Sequence, residues 1–502
     1  MRLSKELLPQ PQGERERAPA GRRAAVVGGG IAGVAAATVL AERGVDVVLV
    51  ERESYLGGRA GAWTDQLADG QAFEMERGFH AFFRQYYNLR ALLRRVDPDL
   101  GVLTETTDYP ILGPGGLEET FTNLPNLPPF NVIALTRRTP HMGWRDLMKV
   151  NAKAALAMLA FDPEQTYDRF DGRSAKSYLD SLRFPPKARA MLFNVFAHSF
   201  FNPEDEYSAA ELLMMFHFYF MGNPEGLIFD VAKRPFSTAI WKPFESYLSA
   251  RGVEIRLGEA ATMVRKNGRG WSVETSEACH EVDDVVLALT VPALKNLVAT
   301  SPELAADIDW RREVDSLELT NPFAVLRLWI DRPAIEGRAP FVGTTGVGIL
   351  DNISIYELIE DESSAWSSAT GGSVVELHAY AIDVDYQESD IRQQLLDGFY
   401  ELYPEYRGAK ILEERMLIRR DCPAFSPGSD ALRPTVATPH RGIKLAGDFI
   451  KLPMPSALME RATASGFLAA NQLLGEHGVR PEPIETVPRR GILARPRLRK
   501  RA

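Results

Sequence analysis

One segment constrains the fold of this chain more than any other: the glycine-rich turn GGGIAG at residues 28–33, which directly follows the apolar run 24–27. Gly28 allows a sharp bend, Gly30 lets the backbone approach a ligand closely, and Gly33 lets a helix pack tightly on the preceding strand. The small and apolar residues that follow are typical of a buried helix. The segment therefore predicts a strand, a tight turn and a helix whose N-terminus binds a pyrophosphate.

The next predicted strand ends in an acidic residue. Residues 45–50 are mostly apolar, and Glu51 lies 18 residues after Gly33. At this spacing a carboxylate accepts hydrogen bonds from the ribose hydroxyls of an adenine dinucleotide, while Ile31 and Ala32 at the helix N-terminus contact its pyrophosphate. These features predict a Rossmann-like α/β domain that binds NAD or FAD.

A double glycine followed by arginine separates these two cofactors. The segment LGGRA at residues 56–60 comes soon after Glu51 and resembles the second signature of the amine oxidase and phytoene desaturase flavoprotein superfamily. The resemblance implies that FAD is the cofactor, with Gly58 and Arg59 against its pyrophosphate and Arg52 among its contacts. An arginine suits this position because its forked N–H groups carry a fixed positive charge to phosphate oxygens.

A third motif, near the C-terminus, resembles the closing FAD motif of the same superfamily. The segment GIKLAGD at residues 442–448 predicts a strand that ends in Asp448. A helix is predicted from Ser456, with Ser456 as its N-cap and Glu460 in its first turn. The resemblance implies that Asp448 bonds the ribityl chain or a phosphate, that Met459 contacts the cofactor, and that the helix N-terminus faces the isoalloxazine.

The same resemblance assigns positions between these motifs. Val264, on a predicted strand, would contact the adenine side of the cofactor through its backbone. Gly78 and Phe79 belong to a segment that passes the isoalloxazine in the superfamily, and His80 is the candidate for a titratable group there. His80 either transfers a proton or only hydrogen-bonds to the cofactor or the backbone.

Because the three motifs lie far apart in the sequence, the cofactor domain is predicted to be discontinuous. The expected fold class is α/β: a Rossmann-like FAD-binding domain with a mixed α+β substrate-binding domain, of the amine oxidase and phytoene desaturase type. The predicted divisions are a disordered leader at 1–23, the FAD-binding domain at 24–100, 235–300 and 425–475, the substrate-binding part at 101–234 and 301–424, and a basic flexible tail at 476–502.

Composition excludes several classes of protein. A formal charge of -9 argues against a nucleic-acid partner. Cys279 and Cys422 are the only cysteines and lie far apart, so neither a disulfide nor a metal site is predicted, and a reducing cytoplasmic compartment fits best. No apolar run is long enough to span a bilayer. The basic tail is either solvated or attracted to anionic lipid, and we expect peripheral association with the inner face of the membrane.

An aromatic stretch at residues 188–231 bears on the substrate. Residues 212–220 are apolar almost all round a helix, so they contact the core, lipid or an apolar ligand. Segments 78–89 and 235–248 resemble those of carotenoid desaturases, and most of all the isorenieratene synthase branch, the β-carotene desaturase/methyltransferases. The resemblance implies a carotenoid substrate. His198 and His217 lie in the aromatic stretch and are expected to be buried histidines with satisfied hydrogen bonds rather than catalysts.

In that branch, the resemblance implies two dehydrogenations of a β-ring and a 1,2-shift of one geminal methyl group, which together give an aromatic ring. Three alternatives stay open: an acyclic carotene desaturase, a flavin amine oxidase, and a non-catalytic isoprenoid-binding protein of the same fold. The glycine-rich segments 113–116 and 343–348 are not followed by small-residue helices and predict hairpin turns rather than a second nucleotide site. The flavin would then be reduced by the substrate and reoxidised by oxygen, a quinone or another acceptor.

Overall fold

Runs of strands and runs of helices follow one another along the chain in the computed structural model. The structure describes residues 5–106, 109–120, 149–185, 201–268 and 270–494, together with 125, 134 and 189. The strands are β1 (Glu6–Leu7), β2 (Arg23–Val27), β3 (Asp46–Glu51), β4 (Ala62–Gln66), β5 (Ala72–Glu76), β6 (Phe82–Phe83), β7 (Leu103–Glu105), β8 (Ile111–Gly113), β9 (Leu117–Glu119), β10 (Phe229–Ala232), β11 (Glu254–Leu257), β12 (Ala261–Asn267), β13 (Gly270–Thr275), β14 (Cys279–Val282), β15 (Asp284–Leu287), β16 (Phe323–Ile330), β17 (Phe341–Thr344), β18 (Asn352–Ile355), β19 (Ser373–Ala379), β20 (Ile411–Arg419), β21 (Ile443–Leu445) and β22 (Glu485–Thr486). The α-helices are α1 (Ile31–Glu42), α2 (Tyr87–Leu93), α3 (Ala152–Leu159), α4 (Pro163–Phe170), α5 (Ala175–Leu182), α6 (Ala209–Phe216), α7 (Lys242–Ser249), α8 (Val291–Thr300), α9 (Pro302–Ala305), α10 (Ile308–Asp315), α11 (Asp361–Thr370), α12 (Glu388–Leu402) and α13 (Leu458–Gly475).

A parallel five-stranded sheet carries the glycine turn. Its order is β11-β3-β2-β15-β21, and every neighbouring pair is parallel. The strands are short apolar runs because they are buried against α1 and α13 and against β13 and β14 of a three-stranded antiparallel sheet. Helix α13 packs on α1 at Gly466, where an added Cβ would lie 2.2 Å from the carbonyl oxygen of Ala32. A side chain at Gly466 would therefore push the two helices apart.

A seven-stranded sheet forms the second half of the molecule. Its order is β20-β16-β19-β18-β17-β8-β9, and β17 and β8 are its parallel pair. One face is apolar, and its residues Leu326 and Leu328 share a core with Leu395 and Phe399 of α12. Side chains alternate across a strand, so the opposite face carries the other residues of β16 and β19. That inner face turns toward the segment after β5 and contains buried charged groups.

The two chain ends differ from the prediction. The leader that was expected to be disordered is ordered from residue 5, because β1 pairs antiparallel with β22 and the backbone N–H of Arg15 donates to the carbonyl of Gly478 at 3.0 Å. Residues 476–494, predicted to be a flexible tail, bury Ile484 and Val487 in the main core. Pairing between two ends of a chain leaves no local pattern for sequence analysis to find. The basic residues Arg495, Arg497, Arg499, Lys500 and Arg501 lie outside the described residues.

The apolar helix is part of the core. The side chains of α6 and of the following π-helical turn His217–Met221 are all buried. His217 is buried as expected, and it hydrogen-bonds through Nε2 to the carbonyl of Pro488 at 2.7 Å and stacks on Phe161. Its Nδ1 is buried without a hydrogen-bond partner, so only one of its two ring nitrogens is satisfied. Phe193, Phe196, Phe200 and His198 lie outside the described residues. Among the helices that the structure describes, none is both long and apolar enough to cross a membrane.

Candidate functional site

The three glycines of the turn between β2 and α1 serve different purposes. Gly28 has a φ of 108°, and an added Cβ would lie 2.3 Å from the carbonyl oxygen of Ala288. An added Cβ at Gly33 would lie 1.8 Å from the carbonyl oxygen of Gly28. At Gly30 the nearest atom to such a Cβ is the Cα of Gly58, 3.9 Å away. Gly28 and Gly33 are therefore required by the fold, whereas Gly30 leaves open space in front of the helix.

Helix α1 begins without a capping side chain. Gly30 is its N-cap, and no acidic residue lies in its first turn. The amides of Ile31, Ala32 and Gly33 belong to the turn whose N–H groups have no acceptor four residues earlier in the helix. Ile31 and Ala32 are also buried. A buried helix start of this kind binds an anion such as a pyrophosphate.

The second glycine motif packs directly against the first. The N–H of Gly57 donates to the carbonyl of Gly29 at 2.8 Å, and an added Cβ at Gly58 would lie 3.1 Å from the Cα of Gly30. Trp241 fixes the far side of this motif by donating its Nε1 hydrogen to the carbonyl of Ala60 at 2.7 Å. The open space in front of Gly30 is thus bounded by the second motif.

Glu51 holds the turn in place. Its Oε2 accepts the N–H of Gly29 at 2.6 Å, and its Oε1 accepts the N–H of Glu53 at 2.8 Å. The prediction that Glu51 bonds ribose hydroxyls is compatible with these contacts because each carboxylate oxygen has a second lone pair. Arg52 points away, with 73% of its side chain exposed and a hydrogen bond to Glu53. The structure does not bring Arg52 to the glycine turn.

A partly buried ion pair joins the second and third motifs. Nη2 of Arg59 donates to Oδ1 of Asp448 at 2.5 Å, although the two residues are 389 positions apart in the sequence. Cys422 lies beside them, and burial raises the pKa of its thiol to about 11. The guanidinium offers donors for phosphate oxygens, and the carboxylate offers acceptors for hydroxyl groups. All three predicted motifs therefore meet at one place.

The helix after the third motif begins later than predicted. Its first residue is Leu458, its N-cap is Ala457 and no side chain caps it. Ser456 does not act as the cap, and its buried Oγ has no hydrogen-bond partner. Met459 lies in the first turn and is partly buried. The prediction failed because the residues 456–458 turn into the helix with Leu458 at a φ of 48°, a conformation that the sequence does not indicate.

Glu460 caps a different helix. Its carboxylate accepts the backbone N–H groups of Asn88 and Leu89, each at 2.9 Å, at the start of α2. Burial raises the pKa of Glu460 to about 7. The residue was predicted to interact with the N-terminus of its own helix, and in the structure it stabilises the N-terminus of α2 instead.

Val264 was predicted to contact the adenine side of the cofactor through its backbone. Its side chain is fully buried and its backbone N–H donates to Oγ of Ser301 at 2.9 Å, so that N–H is not free for an adenine. The neighbours of the Glu51 strand end are Gly258 and Glu259, whose N–H groups donate to the carbonyls of Glu53 and Glu51. A register shift in β12, between residues 261 and 263, displaces the strand relative to the simple alternation of the sequence.

The segment Gly78-Phe79-His80 crosses the inner face of the seven-stranded sheet. Gly78 has a φ of 99°, and an added Cβ there would lie 2.6 Å from Cε1 of His378. The N–H of Phe79 donates to Oε1 of Glu376 at 3.1 Å. Nδ1 of His80 hydrogen-bonds to the carbonyl of Gly78 at 2.7 Å, and burial lowers the pKa of His80 to about 4. His80 is therefore a neutral imidazole engaged with the backbone.

Aromatic rings gather beside this segment. We call these rings the aromatic cluster: Phe79, Phe83, Tyr109, Phe229 and Phe341. Phe79 stacks on Phe341 at 4.3 Å between centroids, and Phe229 contacts Phe79, Phe83, Tyr109 and Phe341 edge-on or tilted at 4.8 to 5.8 Å. Faces of aromatic rings stabilise cations, and an apolar lining excludes water. The cluster therefore suits a hydrocarbon that becomes positively charged during a reaction.

Sequence analysis missed a second buried ion cluster. Glu211 of α6 contacts Arg461, Arg433 and the hydroxyl of Tyr167. Burial alone would raise its pKa, but the two arginines outweigh burial and lower the pKa of Glu211 to about 2. Arg461 also donates to the carbonyl of Ser456 at 2.8 Å, so the cluster holds the loop between β21 and α13. The only signal was a lone acidic residue in an otherwise apolar helix.

These features fit FAD. The open space at Gly30, the two helix starts without capping side chains and the Arg59–Asp448 pair together supply anion-binding amides, phosphate donors and hydroxyl acceptors. A family profile described as flavin containing amine oxidoreductase matches residues 31–474. The chain belongs to the flavin-containing amine oxidoreductase family.

Several relatives of this flavoenzyme have names that refer to carotenoids. Carotenoid phi-ring synthase from Streptomyces griseus is 47% identical over 486 residues, which are 97% of this chain and 94% of that protein. Carotenoid phi-ring synthase from Chlorobaculum tepidum is 26% identical over 94% of this chain and 91% of that protein. Probable zeta-carotene desaturase from Synechococcus elongatus is 27% identical over 90% of this chain and 98% of that protein.

Solved structures show the same fold. A putrescine oxidase double mutant matches with a TM-score of 0.66 at 16% identity, over 90% of this chain and 99% of that chain. A putative protoporphyrinogen oxidase from Exiguobacterium matches with a TM-score of 0.62 at 18% identity, over 91% of this chain and all of that chain. The predicted fold class, the FAD cofactor and the resemblance to carotenoid desaturases are confirmed. This chain is an FAD-dependent oxidoreductase, not a non-catalytic isoprenoid-binding protein.

Proposed function

We propose that this flavoenzyme modifies carotenoids and that it converts β-rings into aromatic end groups. The observation that carries the proposal is the 47% identity to carotenoid phi-ring synthase over nearly the whole of this chain. A relative named for a ring product supports a reaction at the end ring more than desaturation of an acyclic chain. The zeta-carotene desaturase relatives, at lower identity, keep acyclic desaturation as the second candidate.

In the proposed reaction, each β-ring loses two hydrides and two protons, and one geminal methyl group moves to the neighbouring carbon. Bound FAD accepts the hydrides. The protein must place the ring, exclude water and stabilise the transient cation. The aromatic cluster supplies the ring faces, and the neutral His80 beside it adds no positive charge that would oppose a cation.

The acidic residues around the segment 78–80 favour a hydrocarbon substrate over an amine substrate. Glu376 is 0% exposed and is already bonded to Arg327, His378 and the N–H of Phe79. Glu76 is 3% exposed and already accepts the N–H of Phe236 at 2.7 Å, and burial raises its pKa well above the usual value. An amine oxidase needs a polar group that is free to recognise the substrate amine, and these two acids do not provide one.

We also propose that the protein associates peripherally with the inner face of the membrane, where a carotenoid would be dissolved. Leu7, Leu156 and Leu493 are about half exposed or more, at 63%, 50% and 48%. The N–H of Leu493 donates to the carbonyl of Leu159 at 3.1 Å, which joins the C-terminal segment to α3. The test is sedimentation with anionic vesicles, in which the double variant Leu156→Ser, Leu493→Ser should bind less than the wild type.

Expression in bacteria that accumulate either β-carotene or lycopene tests the reaction. We expect new pigments with aromatic end groups in the β-carotene strain. Longer acyclic conjugation in the lycopene strain, without ring products in the other, would favour the second candidate. Unchanged pigments in both strains, with flavin bound to the purified protein, would contradict the carotenoid proposal. Gly30→Val, which should not hold FAD, is the inactive control.

A further inference from the structure

Three charged or ionisable side chains are buried in the middle of the inner face of the seven-stranded sheet. Arg327 and Glu376 are register partners on β16 and β19, and His378 is the next residue on the same face of β19. Their exposures are 1%, 0% and 1%. Burying charge is unfavourable unless each group is paired and hydrogen-bonded. This arrangement is therefore not explained by packing alone.

Arg327 and His378 both donate hydrogen bonds to Glu376. Nε of Arg327 donates to Oε2 of Glu376 at 2.8 Å. Although burial would raise it, this arginine holds the pKa of Glu376 at about 2, so Glu376 is a carboxylate. Nε2 of His378 lies 2.7 Å from Oε1 of Glu376 and must carry the hydrogen. Nδ1 of His378 then holds a lone pair.

Tyr380 completes the arrangement. Its hydroxyl lies 2.8 Å from Nδ1 of His378. Burial raises the pKa of Tyr380, which keeps the phenol protonated, and with the hydrogen of a neutral His378 on Nε2 the phenol is the donor to Nδ1. The phenol oxygen accepts Nδ2–H of Asn352 at 2.9 Å. Glu376 thus orients His378, and His378 is ready to accept the tyrosine proton, as in a nucleophile–base–carboxylate triad.

Tyr380 lies where the reaction is expected. It keeps accessible surface while His378 and Glu376 are buried. Its ring packs on Phe201 at 4.7 Å between centroids and belongs to the apolar group that includes Cys422, which lies beside the Arg59–Asp448 pair. The triad is also in contact with Gly78, whose position against His378 leaves no room for a side chain. The phenol therefore adjoins both the cofactor motifs and the segment that precedes the aromatic cluster.

We propose that Tyr380, backed by His378 and Glu376, accepts the proton that the hydrocarbon loses in each dehydrogenation; this inference rests on the proposed function. Once a ring carbon is cationic through loss of a hydride, for which FAD would be the acceptor, the neighbouring C–H bond breaks and its electron pair forms the new double bond. The proton passes to the oxygen of Tyr380 while the phenol proton passes to Nδ1 of His378. The resulting imidazolium keeps its hydrogen bond to Glu376. A proton acceptor is needed because a pocket that excludes water offers none.

The variant Tyr380→Phe tests this role, and Tyr356→Phe is the matched control. Tyr356 is also buried and lies under Arg327 at 4.4 Å, but it is outside the hydrogen-bonded series. With purified flavin-loaded protein and β-carotene in detergent, we expect Tyr380→Phe to lower formation of aromatic product by about 10- to 100-fold. FAD content and unfolding temperature should stay at wild-type values, and Tyr356→Phe should keep wild-type activity.

A solvent isotope effect separates proton transfer from a merely structural role. The rate in D2O should fall for the wild type and for Tyr356→Phe, because an exchangeable O–H proton moves in the step, and the effect should disappear in Tyr380→Phe. Wild-type activity in Tyr380→Phe, or an unchanged isotope effect, would overturn the triad and leave the proposed function intact. If the wild type itself forms no aromatic product, both proposals are contradicted.

Discussion

At the scale of single residues, Gly30 and Gly33 belong to one turn but differ in the space available for a side chain. An added Cβ at Gly30 meets no protein atom closer than 3.9 Å, whereas one at Gly33 would collide with the carbonyl of Gly28. Gly30→Val should therefore fold normally and fill the space of the pyrophosphate. We expect the FAD content of the purified protein to fall by about tenfold or more, equivalent to about 1.4 kcal/mol or more of binding energy, as measured by flavin absorbance.

Gly33→Ala and Gly172→Ala provide the comparison for this experiment. Gly33→Ala should lower the unfolding temperature, because helix α1 must shift, while Gly172→Ala has open space and should change neither stability nor FAD content. Full FAD content in Gly30→Val would show that the pyrophosphate does not lie against this turn.

His80 gives a prediction about pH. Because burial lowers its pKa to about 4, His80 is neutral throughout the range from pH 6 to 8. A side-chain amide can still donate to the carbonyl of Gly78, so His80→Gln should keep product formation within about threefold of the wild type and leave the pH profile in that range unchanged. A proton-transfer role would instead produce a loss of about 100-fold, measured as aromatic product formed over time.

At the scale of elements, Glu460 couples α13 to α2 in a pH-dependent way. Its pKa is raised to about 7 in the folded protein, from an ordinary value near 4.5. The folded state then binds the proton of Glu460 more tightly than the unfolded state does. The contribution of Glu460 to stability is therefore greatest below pH 4.5 and is lost as the pH rises to about 7.

Glu460→Gln should remove this dependence. The free energy of unfolding of Glu460→Gln minus that of the wild type should increase as the pH rises from 5 to 8, by up to about 3 kcal/mol. Denaturant unfolding at several pH values measures the difference. A difference between the two proteins that does not change with pH would contradict the raised pKa of Glu460.

Sequence analysis succeeded for elements whose causes lie within a few residues. The strand, turn and helix around Gly28 and the Arg59 motif depend on local conformation and are found where they were predicted. The predicted start of α13 was wrong because it depends on a left-handed residue. The adenine contact of Val264 stays a prediction. The triad of Glu376, His378 and Tyr380 was missed although its members alternate along β19, because the pairing of Glu376 with Arg327, 49 positions away, is not visible in the sequence.

At the scale of the whole molecule, the two ends of the chain cover the core together. Residues 5–18 pair with the segment after α13 through β1 and β22 and through Arg15. Deleting residues 1–18 should leave β22 unpaired and expose neighbouring apolar residues, and should lower the unfolding temperature by about 2–5 °C. Deleting residues 1–4 alone is the control and should have no effect. Equal unfolding temperatures for the two deletions would support the original prediction of a disordered leader.

The long-range ion pairs at this scale bring distant parts of the chain to the cofactor site. Arg59 reaches Asp448, and Glu211 reaches Arg461 across 250 positions. Such contacts follow from the fold and cannot be inferred from spacing, so the sequence predicted which motifs bind the cofactor but not what holds them together.

The central claim is that bound FAD removes hydrides from the ring of a carotenoid. The most direct test is to incubate purified flavin-loaded protein with β-carotene and analyse the extracted pigment by mass spectrometry and NMR. The account predicts the loss of four hydrogens for each converted ring and the appearance of aromatic ring protons, with no such change for Gly30→Val. Recovery of unaltered β-carotene from protein that carries a full complement of FAD would contradict it.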